Sequence, residues 1–172
     1  MTIQALTRRG YSEWMTDTPR TPAIDALEAS GIPFTVTTHG RVGSLAEAAA
    51  ARGVEPGDIV KTMVVRRASG DYLFVLVPGD RTISWPKLRT LLGVNRLSMP
   101  DATKALEVTG YERGTITPFG ASTAWPVIAD DRVAGRQISI GGGAFGVAAT
   151  IDGDDAIRVL GAQVADVTDP EA

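Results

Sequence analysis

Lys61 is the residue whose type and setting most clearly permit chemistry. It lies between Ile59-Val60 and Met63-Val64-Val65, in an apolar run typical of a buried β-strand. A lysine in such a run either extends its amine to solvent or faces a cleft, where it can bind an anion or act as a base. The pattern alone favours the first interpretation and leaves the second open.

Two glycine-containing segments could contribute backbone chemistry. In the first, from Gly114 to Gly120, glycine and Pro118 flank a short piece that we predict to be extended, so its amides can stay free of a strand ladder. Free amides at a sharp turn can stabilise the oxyanion of an ester carbonyl that becomes tetrahedral. The alternative is a plain turn between strands.

The second segment is Gly141-Gly142-Gly143, where missing side chains let the backbone approach a ligand or adopt a positive φ. The segment lacks the Gly-Lys-Ser/Thr ending of a P-loop and the glycine spacing of a dinucleotide-binding turn. A bulge that closes a curved sheet explains the glycines equally well.

Composition argues against several kinds of site. The chain has no cysteine, which excludes disulfides, thiolate metal ligands and cysteine nucleophiles. Its single histidine, His39, is expected at a strand end, and one imidazole argues against a histidine-based metal site. The aspartates at 130–131 and 152–155 lack the spacing of a calcium loop. We therefore expect neither a metal nor a cofactor.

Charge is distributed unevenly along the 172 residues, although the net charge is only −3. Residues 61–113 contain nine basic and five acidic side chains, whereas the remainder contains eight basic and fifteen acidic ones. Phosphate binding depends on a local basic patch rather than on the total charge. A mixed, solvated surface is the alternative, and charge alone favours it.

The sequence predicts a cytosolic protein. Residues 1–20 lack the apolar core of a signal peptide, and no run of about 18 apolar residues occurs that could span a membrane. We expect an N-terminal extension over residues 1–20 and a single domain over residues 21–168.

Capping residues, hydrophobic periodicity and turn residues predict the elements that must position these side chains. Short strands dominate and do not alternate regularly with helices, which argues for an α+β fold with a curved mixed, largely antiparallel sheet and flanking helices. Residues after Thr168 are expected to fray. Helices are predicted over residues 22–30, 45–52, 85–92, 100–108 and 154–160, and strands over residues 34–38, 59–65, 72–77, 94–99, 114–120, 126–129, 137–140, 145–151 and 164–167.

Taken in order, these segments resemble the YbaK/EbsC family, which includes bacterial Cys-tRNA(Pro) deacylases and the editing domain inserted in prolyl-tRNA synthetases. The Val-Lys-Thr element around Lys61 and the Gly-x-x-x-Pro element from Gly114 to Pro118 are together fairly specific at this separation. Thr21-Pro22-Ala23 and Gly141 to Gly143 extend the resemblance over residues 21–167. The resemblance implies a YbaK-like fold.

The resemblance also implies an activity and its residues. It implies an aminoacyl-tRNA deacylase that hydrolyses the ester of mischarged tRNA in trans, of the tRNA(Pro) type, with a prolyl-tRNA synthetase as an expected partner. Lys61 would hold the terminal phosphate or the ester region, Gly114 would donate its amide to the carbonyl, and water or a substrate hydroxyl would attack. The other expected substrate-binding residues are His39, Thr62, Met63, Pro118, Phe119, Gly120, Gly141, Gly142 and Gly143.

Three positions depart from the family pattern. Gly141 stands where the Cys-tRNA(Pro) deacylases tend to have serine, Ala148 where they have aspartate, and His39 where they have tyrosine. Cysteine, alanine, serine and threonine therefore all remain open as the amino acid removed, and Phe119 and Met63 could set the pocket size. Two other functions also remain open: a non-catalytic module that binds tRNA ends or a synthetase, and a hydrolase of small esters.

Overall fold

The computed structural model describes residues 4–7 and 19–171, which form a mixed β-sheet with flanking helices. The strands are β1 (Gln4–Thr7), β2 (Phe34–Thr38), β3 (Ile59–Ala68), β4 (Asp71–Pro78), β5 (Arg81–Ile83), β6 (Val127–Asp130), β7 (Gln137–Gly141), β8 (Val147–Asp152), β9 (Gln163–Ala165) and β10 (Thr168–Pro170). The helices are α1 (Pro22–Ser30), α2 (Leu45–Arg52), α3 (Trp85–Leu92), α4 (Ala102–Thr109) and α5 (Gly153–Leu160), with 3₁₀ turns at Pro56–Asp58 and Asp131–Val133.

Within the described residues, eight strands form one sheet in the order β1-β2-β8-β7-β3-β4-β6-β9. The pairs β1–β2, β2–β8, β8–β7 and β3–β4 are antiparallel, whereas β7–β3, β4–β6 and β6–β9 are parallel. Strands β5 and β10 form a separate antiparallel pair. The predicted α+β class with a mixed, largely antiparallel sheet is confirmed.

Side-chain caps and C-terminal glycines set the helix boundaries. The Thr21 hydroxyl accepts a hydrogen bond from the Ile24 amide (3.1 Å) at the start of α1, and Ser44 does the same for the Glu47 amide at the start of α2. The Glu47 carboxylate accepts from the Gly43 amide (2.6 Å), one residue before the cap, so Ser44 and Glu47 form only half of a capping box. Each helix is followed by a glycine in the left-handed conformation.

The hairpin of β3 and β4 lies at the centre of the sheet and is covered on both faces. Side chains of β4 alternate between two hydrophobic clusters, so that Phe74 packs with Leu27 of α1 and Val75 packs with Leu88 of α3. All four of these side chains are buried. This double burial holds in place the strand that carries Lys61.

Two strand predictions are wrong. Residues 94–99 contribute only an isolated bridge between Ser98 and Arg66, because the glycine that ends α3 is followed by a loop rather than by a ladder partner. The segment from Gly114 to Gly120 consists of turns, and both of these glycines have positive φ, which a continuous strand does not allow.

Helix α4 packs through Ala105, which is buried, whereas Ala102 is exposed and Leu106 is 43% exposed. The expected fraying after Thr168 is wrong, because Thr168–Pro170 pairs with β5. Within the predicted extension, Gln4–Thr7 pairs with β2, and residues 1–3 and 8–18 lie outside the described residues.

Candidate active site

A cavity of about 450 Å³ opens where β3 separates from β7. The two strands pair only through Ile59 with Ser139 and Val60 with Ile140, after which β7 ends at Gly141 while β3 continues. The walls come from the end of α2, from residues 59–64 of β3, from residues 99–105 around the start of α4, and from residues 113–116.

The edge of β3 that borders this cavity has unpaired backbone groups. The Gly79 amide donates to the Ile59 carbonyl on the β4 side, and Arg66 exchanges both of its backbone hydrogen bonds with Ser98 on the opposite side. Because backbone groups alternate in direction along an antiparallel ladder, Thr62 and Val64 point their N–H and C=O groups to the same side as Arg66. Between the β7 pairing and the Ser98 bridge, these groups have no strand partner in the described structure.

In the described structure, the residues that line the cavity include three cationic side chains and no carboxylate. The cations are Arg52, Lys61 and Arg113. The apolar part of the lining includes Met99, which is 47% exposed at the surface. A cavity of this character favours a ligand that combines negative charge with apolar surface.

Lys61 lines the cavity, and its amine is already engaged. The Nζ atom donates a hydrogen bond to the carbonyl oxygen of Arg81 (2.8 Å) and lies 4.0 Å from the carboxylate of Glu171. The side chain is 36% exposed, so it neither lies wholly in solvent nor is fully buried. An ammonium group has three donors, and the bond to Arg81 uses one of them.

Gly114 lies at the mouth of the cavity in a tight turn. The Thr115 amide donates to the Glu112 carbonyl (2.9 Å), which closes a four-residue turn with Gly114 in its third position at φ +93. No group within residues 4–7 and 19–171 accepts a hydrogen bond from the Gly114 amide. The backbone at Gly114 thus has the shape of a plain turn, which was the alternative prediction for this segment. The turn also leaves the Gly114 amide available for a ligand.

Three more of the expected residues line the same cavity. Thr62 and Met63 follow Lys61 along β3, and successive side chains of a strand point to opposite faces. Side chains on both faces of β3 can line the cavity, because the cavity lies at the edge of this strand. The Thr62 hydroxyl oxygen is buried without a hydrogen-bond partner among the described residues. Gly141, the last residue of β7, completes this group.

The structure places the other expected residues outside the cavity lining. Phe119 is buried in the larger hydrophobic cluster, and Pro118 borders a different cavity beside Trp125. His39 follows β2, with its Nδ1 atom 2.8 Å from the Gly40 carbonyl oxygen.

The remaining three glycines are closely packed. A side chain on Gly120 would collide with the Pro22 carbonyl, and one on Gly142 would lie 2.6 Å from Val147 Cγ1. A side chain on Gly143 would lie 3.0 to 3.2 Å from Tyr111, Ala23 and Thr21.

Arg52 is a cavity residue that the sequence analysis did not select. It is the last residue of α2, where a cation usually complements the helix dipole, so its position along the chain gives no sign of a site. Its Nη1 atom lies 3.4 Å from the Ser139 hydroxyl, and its Nε atom is buried without a partner in the described structure. Burial lowers the pKa of the guanidinium from its usual value.

Comparison with known proteins identifies the family. The model of the aminoacyl-tRNA editing domain matches residues 39–159, which include β3, the turn at Gly114 and the residues that line the cavity. The chain belongs to the aminoacyl-tRNA editing domain family. The resemblance inferred from the Val-Lys-Thr and Gly-x-x-x-Pro elements is confirmed at this level.

Relatives of the editing domain occur inside larger enzymes. The proline–tRNA ligase of Bacillus licheniformis is 32% identical over 89 residues, which are 52% of this chain and 15% of that enzyme. The proline–tRNA ligase of Thermosipho africanus is 40% identical over 63 residues, which are 37% of this chain and 11% of that enzyme. The chain therefore matches only a small part of these relatives.

Solved structures match nearly the whole chain. A protein described as a candidate trans-editing enzyme for prolyl tRNA synthetase has a TM-score of 0.78 and 26% identity, over 90% of this chain and 100% of its own. A hypothetical protein has a TM-score of 0.79 and 26% identity, over 87% of this chain and 100% of its own. In residues 4–7 and 19–171, no helix has the length and hydropathy needed to cross a bilayer.

Proposed function

We propose that this editing domain is an aminoacyl-tRNA deacylase that hydrolyses the ester of mischarged tRNA. The observation that carries the proposal is the cavity between β3 and β7, lined by three cations and no carboxylate, with the free amide of Gly114 at its mouth. The 3′ end of an aminoacyl-tRNA offers a phosphodiester group to such cations and an ester carbonyl to such an amide.

The reaction needs little beyond positioning in this site. The ester carbonyl oxygen would accept a hydrogen bond from Gly114 N–H, which stabilises negative charge as water or a substrate hydroxyl attacks the carbonyl carbon. When water attacks, the bond to the ribose oxygen breaks, the ribose oxygen gains a proton, and the free amino acid and tRNA leave. Lys61 would use a free N–H donor for the phosphate or ester region while Arg81 holds its amine in place.

The proposed substrate is tRNA of the proline type, acted on in trans. Support comes from the proline–tRNA ligases among the relatives and from the structural neighbour described as a candidate trans-editing enzyme for prolyl tRNA synthetase. We propose residues 21–168 as the catalytic unit and a prolyl-tRNA synthetase as its partner.

The decisive experiment is deacylation of a panel of tRNA(Pro) charged with cysteine, alanine, serine, threonine or proline. We expect hydrolysis of one or more of the mischarged forms and little of the proline form. Lys61→Ala should remove most of this activity with a small change in the thermal midpoint, because the Lys61 side chain is partly exposed and its amine bonds to the Arg81 carbonyl near the exposed Glu171 carboxylate.

Arg158→Ala is the matched control for loss of a surface cation. Arg158 forms an ion pair with Asp155 within α5 and does not line the cavity. Its loss should leave deacylation unchanged. A fully active Lys61→Ala protein would contradict the role of Lys61, and tight tRNA binding without turnover would favour the non-catalytic binding module.

A further inference from the structure

We propose that Arg52 binds the phosphodiester group on the 5′ side of the esterified terminal nucleoside. This inference rests on the proposed function, since it names the part of the tRNA end that the cavity would hold. Arg52 would thus be the cation that fixes the nucleotide, while Lys61 and Gly114 would act nearer to the ester.

The position of Arg52 gives it access to the cavity from the side of α2. The helix ends at Arg52, and Gly53 turns the chain away in the left-handed conformation. The guanidinium then lies over β7, with Nη1 3.4 Å from the hydroxyl of the buried Ser139. Arg52 forms no ion pair with any carboxylate in residues 4–7 and 19–171.

The hydrogen-bonding capacity of Arg52 is largely unused. Its Nε atom is buried without an acceptor, and the hydroxyl of Thr62, on the same cavity, is also buried without a partner among the described residues. A partly buried cation without a carboxylate partner is unfavourable, and burial here lowers the guanidinium pKa. A phosphate group would supply oxygens to the planar fork of donors, which suits two parallel hydrogen bonds.

The other two cations of the cavity are less suited to this role. The Lys61 amine donates to the Arg81 carbonyl and lies 4.0 Å from the Glu171 carboxylate, so its positive charge is already partly compensated within the protein. Arg113 is exposed at the mouth, where solvent screens its charge. Arg52 combines partial burial, a position on the cavity and the lack of a carboxylate partner in the described structure.

The test compares binding of adenosine 5′-monophosphate with binding of adenosine, measured by NMR titration. The two probes differ only in the phosphate. The unaltered protein should bind the monophosphate about 10- to 100-fold more tightly, as expected when hydrogen bonds to a charged group are gained. Arg52→Gln should remove this preference while binding of adenosine stays the same. Arg158→Gln should keep the preference, since Arg158 lies on α5 outside the cavity.

Arg52→Lys is the control for a folding defect, because it keeps the positive charge and the long side chain but loses the planar guanidinium group. It should keep a reduced preference for the monophosphate. A preference that survives in Arg52→Gln, or no preference in the unaltered protein, would overturn the assignment.

Deacylation assays separate this inference from the proposed function. With an active deacylase, Arg52→Gln should lower kcat/KM about 10- to 100-fold, mainly through KM. An active deacylase with an unchanged Arg52→Gln variant would overturn the inference alone. Loss of the monophosphate preference in a protein that deacylates nothing would support the phosphate site and contradict the deacylase. A defect limited to tRNA charged with an acidic amino acid would overturn the phosphate assignment, since the anion would then belong to the amino acid.

Discussion

Gly114 and Gly143 have almost the same φ, +93 and +88, but very different surroundings. Among the described residues, a side chain on Gly114 would meet only the ring of Phe145, at 3.2 Å, and that residue is 69% exposed. A side chain on Gly143 would meet Tyr111, Ala23 and Thr21 from three directions. A positive φ explains why each position holds glycine but does not distinguish a backbone amide that serves a ligand from a backbone that must pack closely.

The largest effect is expected for Gly114→Ala. An added Cβ strains the turn and shifts the amide that we assign to the ester carbonyl, so the single-turnover rate should fall about a hundredfold or more. Binding of tRNA should change little. The measurement is a rapid-quench assay with saturating enzyme, together with a thermal melt.

Gly135→Ala is the matched control for the strain alone. Gly135 has φ +73, no atom of residues 4–7 and 19–171 lies within 4 Å of the position of an added Cβ, and it does not line the cavity. Both variants should lose about 1–2 kcal/mol of stability, but only Gly114→Ala should lose rate. If Gly114→Ala melts early and hydrolyses at the normal rate, the oxyanion role is wrong.

Gly143→Ala should mainly reduce stability. The strain of the positive φ is joined by three close contacts, which add about 1–3 kcal/mol of overpacking. The thermal midpoint should fall below that of Gly135→Ala by about 2–4 °C for each additional kcal/mol. Gly143 was also predicted to bind substrate, and a variant of normal stability with weakened tRNA binding would support that prediction.

Tyr111 connects the two glycine segments and provides a pH-dependent test. Its hydroxyl donates to the Phe119 carbonyl (2.6 Å), its ring lies beside Gly143, and burial raises its pKa to about 12. The unfolded phenol titrates near 10, so the unfolded state loses its proton first as the pH rises. The free energy of unfolding should therefore fall between about pH 10 and 12, by on the order of 1–3 kcal/mol.

Tyr111→Phe should remove this part of the alkaline dependence. It should also cost about 1 kcal/mol at neutral pH, because the Phe119 carbonyl loses its donor. Urea unfolding at pH 8, 10 and 11.5 measures both effects. Identical alkaline slopes in the two proteins would mean that Tyr111 is not the group responsible.

The smallest effect concerns Arg113, the exposed cation next to Gly114. If Arg113 contacts a tRNA phosphate, Arg113→Gln should lower the slope of log affinity against log salt by about one unit, and Arg158→Gln should leave the slope unchanged. Filter binding at several salt concentrations measures this slope. Affinity that does not vary with salt would favour the hydrolase of small esters.

Elements defined by nearby residues were predictable from the sequence. Thr21, Ser44 and Ser84 cap helices within three residues of themselves, and the hairpin turn around Gly70 depends only on its immediate neighbours. The error at the C-terminus concerns a contact between distant segments. The strand after Thr168 forms only because β5, more than eighty residues earlier, offers its edge.

The candidate site was predictable to the same extent. Lys61 was predicted from its place in an apolar strand pattern, Gly114 from the glycine and proline that flank its segment, and Thr62 and Met63 from the family resemblance. All four line the cavity, and their roles stay predictions. Arg52 was not found, because at the end of an alanine-rich helix it has the pattern of an ordinary surface cation. Its contact with Ser139 of β7, 87 residues further along the chain, places it beside the cavity.

The unpaired edge of β3 also bears on pairing between copies of the protein. An exposed strand edge invites pairing with other chains, and amyloid-forming segments are usually six or seven residues long. Here the free stretch between the β7 pairing and the Ser98 bridge is only residues 61–65, about 16 Å at about 3.3 Å per residue. Residues 113–116 and α4 border it as well. The unpaired stretch is therefore shorter than such segments and is bordered by other parts of the chain, which disfavours edge-to-edge pairing with a second molecule.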